Sequence, residues 1–156
     1  QSPLKAHAPL TDAAVRLQML SLALQGEARF ELDGSEIERG GLSYTIDTVR
    51  HFSAEHPDTE LYWIIGADQF EQLDRWHRIE ELIERVIFLV FARPGSHLEA
   101  SALIPKLRYQ VIDAPLMTDS SSVIRQYCRE GRSLEGLVPV AVQAFISEQE
   151  LYTNLQ

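Results

Sequence analysis

Two uninterrupted apolar runs constrain this chain more than anything else in it: Leu61-Tyr62-Trp63-Ile64-Ile65 and Val86-Ile87-Phe88-Leu89-Val90-Phe91-Ala92. A strand with one face in water alternates apolar and polar residues, so runs without a polar member read as central strands of a parallel sheet, buried on both faces. Gly66-Ala67-Asp68 follows the first run at its carboxyl end, and Arg93-Pro94-Gly95 stops the second. Tyr109 to Ile112 reads as a third, shorter strand.

Helical signals separate and flank these runs. Thr11 or Asp12 can cap a helix reaching about Leu24, whose dense apolar positions (Val15, Leu17, Leu20, Leu22, Leu24) predict a well-buried element ended by Gly26. Arg29 to Leu32 alternates as a short strand would. After the break at Gly40-Gly41, Thr45 caps a helix with Ile46, Val49 and Phe52 on one face, stopped by Pro57. A short helix follows Asp68, and another runs from about Ile79 to Arg85. Residues 96–106 read as loop or weak helix. Ser120 to Arg129 is a helix with serine caps, ended by Gly131. Pro139 opens a last helix to about Glu148, with Val142, Phe145 and Ile146 inward. Strands alternating with helices give an α/β class with a mainly parallel sheet.

The 156 residues suit a single domain spanning 1–156, and 45% apolar content is ordinary for a globular protein. No apolar run approaches the roughly 20 residues that span a bilayer. The opening Gln1-Ser2-Pro3-Leu4-Lys5 has no apolar signal core, and Cys128 is the sole cysteine, so a reducing, cytoplasmic location is expected. A net charge of -9 without a visible basic face argues against a nucleic-acid partner. The histidines at 7, 51, 56, 77 and 97 lack the close pairing of a zinc helix. An acidic chain can still hold a small anion through a few local cations and backbone N–H groups.

In parallel α/β sheets, ligands sit beyond the carboxyl ends of the strands, which directs attention to residues 66–68, 93–95 and 118–125. Gly66 would let a ligand approach the backbone and Asp68 could accept ribose hydroxyls; a tight turn with Asp68 capping the next helix fits equally. Ser120-Ser121-Ser122 with Arg125 near one turn on would offer hydroxyls, N–H groups, a helix dipole and a guanidinium to one anion. A serine-rich cap with a solvated arginine is the commoner meaning of that pattern. In Arg75-Trp76-His77-Arg78 the indole could stack a flat heterocycle or simply belong to the core. Ser43-Tyr44-Thr45 opens a helix whose N–H groups could face a carboxylate, with Thr45 as a plain cap the simpler reading. His51, His56 and His97 read as solvated, as does the helix face of Glu80, Glu81 and Glu84.

The order of these segments is more specific than any one of them. Ser43-Tyr44-Thr45-Ile46-Asp47-Thr48, Ile64-Ile65-Gly66-Ala67-Asp68, Arg75-Trp76-His77, Ala92-Arg93-Pro94-Gly95, Ser120-Ser121 to Ile124-Arg125 and Leu151-Tyr152 together resemble the bacterial nicotinate-nucleotide adenylyltransferases over nearly the whole chain. The resemblance implies a Rossmann-like nucleotidyltransferase fold. It implies adenylyl transfer from ATP to nicotinate mononucleotide, giving deamido-NAD and pyrophosphate in NAD biosynthesis, with Mg²⁺ on the ATP phosphates. Carried over by motif, Trp76 would stack on the nicotinate ring, and Tyr44, Thr45 and the His77 backbone would bind its carboxylate. Gly66 and Asp68 would hold the adenosine side, with Arg93 near the nucleotide. Ser120, Ser121 and Arg125 would bind the ATP phosphates, and Lys5 would also face phosphate. Donors aimed at a carboxylate penalise a carboxamide, whose N–H₂ meets donors with donors, so the acid nucleotide should be preferred.

Three departures from the family pattern stand out. Its Gly-Gly-Thr-Phe-Asp-Pro and His-x-Gly-His segments, on the first strand, loop and helix, have no counterpart in residues 1–156. The histidines that stabilise the transferring phosphoryl group belong there, so residues 1–156 alone are expected to turn over little or not at all. Leu4 stands where the family often has His, and Asp119 stands where the phosphate motif usually has an apolar residue and is expected to point away. The competing readings are a non-catalytic nucleotide-binding or regulatory domain and a related adenylyltransferase using nicotinamide mononucleotide.

Overall fold

In the computed structural model, which describes residues 11–92, 105–113 and 120–153, the apolar runs lie side by side. Strand β1 (Leu61–Gly66) pairs in parallel with β2 (Val86–Phe91), and β2 with β3 (Tyr109–Ile112), in the order β1-β2-β3. The mainly parallel α/β reading therefore holds. Register sets Leu61, Trp63 and Ile65 beside Val86, Phe88 and Val90 on one face. Two helices pack there: α3 (Thr45–Glu55) through Ile46 and Val49, and α5 (Ile79–Arg85) through Leu82 and Ile83. Between β1 and α5 come a short helix, α4 (Ala67–Phe70), and a 3₁₀ turn at Leu73–Arg75, which add Phe70 and Leu73 to the same core.

The other face corrects an expectation. β1 is not buried on both sides: Tyr62 and Ile64 are 46% and 61% exposed, while Ile87 and Leu89 beside them on β2 are half-buried. Within the described sheet β1 is an edge strand, and α3 and α5 cover only its first face. An apolar run tells that both faces can be buried, not what covers them.

The chain divides into two compact units. The sheet unit takes its described residues from 40–116, the other from 8–39 and 117–156. The second unit is helical among the described residues: α1 (Ala13–Ala23), α2 (Ser35–Arg39), α6 (Ser121–Arg129) and α7 (Val140–Glu148). Its core gathers Leu134, Val142 and Ile146, with Met19 and Leu22 from α1 and Ile124 and Tyr127 from α6 packed against them.

Three further readings change. α1 starts as expected, the Asp12 carboxylate accepting from the Ala14 N–H at 2.8 Å, but it has no buried residue and Leu20 is 53% exposed. At about 100° per residue its apolar positions divide between two sides of the helix, so Leu22 turns inward as Leu20 turns out. Arg29 to Leu32 forms no strand; it lies in a turn where the Phe30 N–H donates to the Glu27 carbonyl at 3.1 Å. Alternation needs a neighbouring strand to pair with, and none is beside it among the described residues. Thr45 is not the cap of α3 but its first helical residue, with Tyr44 in extended conformation at the cap position. No helix among the described residues is long and apolar enough to cross a membrane.

Candidate functional site

In the sheet unit, two stretches far apart in sequence meet. Tyr44 ends the approach to α3, and its ring lies 4.4 Å centroid to centroid from that of His77, ahead of α5. Because Tyr44 makes no side-chain cap bond, α3 opens with bare backbone donors. The Thr45 N–H, in the first helical turn, has no acceptor within its own helix. Among the described residues, no hydrogen bond takes the His77 N–H either. Trp76 sits beside them. Its N–H donates to the Leu73 carbonyl at 3.0 Å, and its half-buried ring meets Phe88 edge-on at 6.3 Å. The core reading of Trp76 holds for the side that meets Phe88, and the residue is otherwise partly open. Its indole Nε1 is buried without a partner, the only such side-chain atom among the described residues. A buried N–H left unpaired costs about 1–3 kcal/mol, so this ring is held by packing rather than by a polar anchor.

Gly66 closes β1 opposite Phe91 of β2, and Asp68 is exposed just beyond, in α4. The carboxyl ends of two adjacent strands therefore carry the segment that the parallel-sheet rule singled out. Gly66 has φ −86° and ψ 165°, values open to any residue, and a Cβ built on it would meet nothing within 4 Å. Neither backbone strain nor crowding explains a glycine there.

In the helical unit, Ser120 caps α6, its hydroxyl oxygen accepting from the Val123 N–H at 3.3 Å. A serine that accepts this way still has its own O–H to donate. Ser121 is exposed, and Arg125 is half-buried with a guanidinium nitrogen donating to the Ser122 hydroxyl at 3.3 Å. That bond folds the cation back over the first turn of α6, so hydroxyls, helix-end N–H groups and guanidinium share one helix end. Lys5, Arg93, Leu4 and Asp119 lie outside the described residues. Cys128 is half-buried, and burial pushes its thiol up from its usual value, which leaves it a poor nucleophile. Among the described residues no three His, Cys, Asp or Glu side chains are grouped as metal ligands would be.

Sequence reasoning missed one constellation. Glu81, read as part of a solvated face, accepts from both ends of the Arg50 guanidinium, Nε at 2.9 Å and a terminal nitrogen at 2.6 Å, and joins Arg85 at 3.2 Å and Arg78 at 3.5 Å. The Arg50 hydrogen bonds above all hold its carboxyl down to about 2, and the same bonds raise Arg50. The spacing of Arg78 and Arg85 on either side of Glu81 was a visible signal; the partner on α3 was not.

A parallel sheet whose strands alternate with helices defines an α/β protein. The family model described as cytidylyltransferase-like matches residues 1–127, which makes the chain a nucleotidyltransferase of that class. Two bacterial relatives carry the name "Probable nicotinate-nucleotide adenylyltransferase". That of Geobacillus kaustophilus is 45% identical over 96% of this chain and 67% of its own length, and that of Opitutus terrae is 40% identical over 100% and 80%. Plasmodium falciparum nicotinic acid mononucleotide adenylyltransferase, solved in complex with APC, shares the fold at a TM-score of 0.72 and 19% identity, covering 94% of this chain and 79% of that one. The chain belongs to the nicotinate-nucleotide adenylyltransferase family.

Proposed function

We propose that this protein transfers the adenylyl group of ATP to nicotinate mononucleotide, forming deamido-NAD and pyrophosphate in NAD biosynthesis. Family membership supports the reaction; the contact of Tyr44 with His77, beside the half-open Trp76, is the structural observation that carries the choice of acceptor. In this reading the Thr45 and His77 N–H groups donate to the nicotinate carboxylate, Tyr44 lines it, and Trp76 stacks on the ring. Gly66 and Asp68 take the adenosine of ATP, with Asp68 on the ribose and Arg93 nearby. Ser120, Ser121 and Arg125 hold the ATP phosphates, and Lys5 faces phosphate.

The chemistry asks little of a general base. The phosphate of nicotinate mononucleotide is already an anion and attacks the α-phosphorus in line, so the protein's part is to align the two nucleotides and neutralise charge. Hydroxyls and a guanidinium at the start of α6 suit phosphate oxygens rather than a cation. Mg²⁺ accordingly belongs to this proposal as a companion of ATP, held by phosphates and water, where it supplies charge neutralisation. Residues 1–156 as one functional domain and a cytoplasmic location are part of the same reading.

Pyrophosphate release by the full-length gene product tests it. The expected result is release that depends on nicotinate mononucleotide, with kcat/KM at least about 10-fold lower for the nicotinamide nucleotide, because its amide presents donors to donors. Equal rates with both acceptors would refute the assignment of Tyr44, Thr45 and His77.

A further inference from the structure

The donors assigned to the acceptor's carboxylate arrive on two elements, Thr45 at the start of α3 and His77 ahead of α5. Donors from two helices serve one small anion only if the helices keep their spacing to a fraction of an ångström. Among the described residues, one ion pair joins the two helices. Arg50 of α3 meets Glu81 of α5 through two parallel hydrogen bonds, at 2.9 and 2.6 Å. A two-point contact fixes angle as well as distance. Neither partner swings freely: Asp47 holds Arg50 at 3.4 Å, and Arg85 holds Glu81 at 3.2 Å.

The path from this pair to the site is short and stiff. Arg50 lies in the turn of α3 that follows Thr45, and Glu81 lies in the first turn of α5. Between Glu81 and His77 stands Arg78, in left-handed conformation at φ 53° and ψ 44°, where L side chains seldom settle. The Arg78 carbonyl accepts from the N–H groups of Glu81 and Leu82, both at 3.1 Å, and its guanidinium reaches Glu81 at 3.5 Å. The reversal at Arg78, which sets the direction of the His77 backbone, is thus fastened to Glu81 at both ends.

We infer that Arg50 and Glu81 are positioning residues for the acceptor: their clamp between α3 and α5 sets the spacing of the Thr45 and His77 N–H groups, and with it the preference for a pyridine carboxylate over a carboxamide. The inference rests on the acceptor assignment above. Arg50 acts through geometry rather than as a ligand, because its guanidinium is already engaged by Glu81.

Calorimetric titration of nicotinate and nicotinamide mononucleotides into the full-length protein tests this. The variants are Arg50→Gln, Glu81→Gln, the double substitution and Arg50→Lys. The two ligands share their ribose phosphate, so general loosening weakens both, whereas lost carboxylate geometry weakens the acid alone. Each single glutamine variant should bind the acid about 10-fold more weakly and the amide within about 2-fold of wild type, and the double variant should be no worse than either single. Arg50→Lys keeps the charge but not the two-point contact and should fall between. If wild type prefers the acid and the glutamine variants keep that ratio, or lose both ligands equally, the inference fails and the acceptor assignment stands. If wild type has no preference, the assignment fails and takes the inference with it. Should Arg50→Gln not fold, Glu81→Gln and Arg50→Lys carry the same comparison.

Discussion

Gly66 shows what one residue can and cannot reveal. In sequence it fits a tight turn as well as a ligand's approach, because φ cannot be read from a one-letter code. In the fold its φ of −86° needs no glycine, and a Cβ there would point into open space. The turn reading loses its physical reason, and in the proposed reading the missing side chain leaves room for the nucleotide. Gly66→Ala should therefore leave the fold intact, or stabilise it by about 0.4–1 kcal/mol through the unfolded chain. ATP affinity should fall by about 10-fold as the new methyl meets the nucleotide. Urea denaturation and ATP titration of the same preparation decide it: a loss of stability accompanying the loss of affinity would restore the turn. Glu81 is the opposite lesson. Glu80, Glu81 and Glu84 look alike as acids on one helix; Arg78 and Arg85 flank Glu81 visibly in the sequence, but the two-point partner brought from α3 shows only in the fold.

At the scale of elements, boundaries marked by local chemistry were legible. α5 and β3 run over the residues that periodicity and apolar content assign, and Ser120 caps α6. What failed needed a neighbour. Arg29 to Leu32 alternates but has no strand beside it among the described residues, and α1 has many apolar residues that no single surface can cover. The phosphate group on α6 can be separated into its two jobs. Ser120→Ala removes a cap and should cost about 1 kcal/mol of stability, whereas Ser121→Ala, exposed and not capping, should leave stability within about 0.5 kcal/mol while weakening ATP binding. Equal effects of the two on thermal unfolding would show that the hydroxyls are not divided this way.

The clamp between α3 and α5 also has a pH signature. Glu81 has a carboxyl held down to about 2 from an ordinary 4.5, so the folded state resists its protonation. Its contribution is then fully present above about pH 4.5 and fades as pH falls from there toward about 2. Glu81→Gln should be less stable than wild type at pH 7, with the gap narrowing as acid is added. Urea midpoints at pH 7, 4 and 3 for both proteins check this; a gap that widens in acid would mean that the carboxylate does not stabilise the fold.

For the whole molecule, the chain forms two compact units, and the helical one is assembled from 8–39 and 117–156, segments that no local pattern in the sequence links. Each unit has its own core, and in the proposed reading the sheet unit carries the contacts to the acceptor and, through Gly66 and Asp68, to the adenosine, while the helical unit carries those to the ATP phosphates. Phe88 is fully buried in the sheet unit and meets Trp76 edge-on. Phe88→Leu should cost about 1–2 kcal/mol and free the indole, raising KM for nicotinate mononucleotide several-fold with KM for ATP unchanged. Ile146 is 6% exposed in the helical core, where Ile124 and Tyr127 of α6 pack. Ile146→Val should cost about 0.5–1.5 kcal/mol and raise KM for ATP instead, through α6 and its serines. Steady-state kinetics of the two variants in the full-length protein separate the possibilities. If both substitutions change both Michaelis constants alike, the packing behind Trp76 and the packing behind α6 do not act separately on the acceptor and on the ATP phosphates, and this assignment of the two cores is wrong.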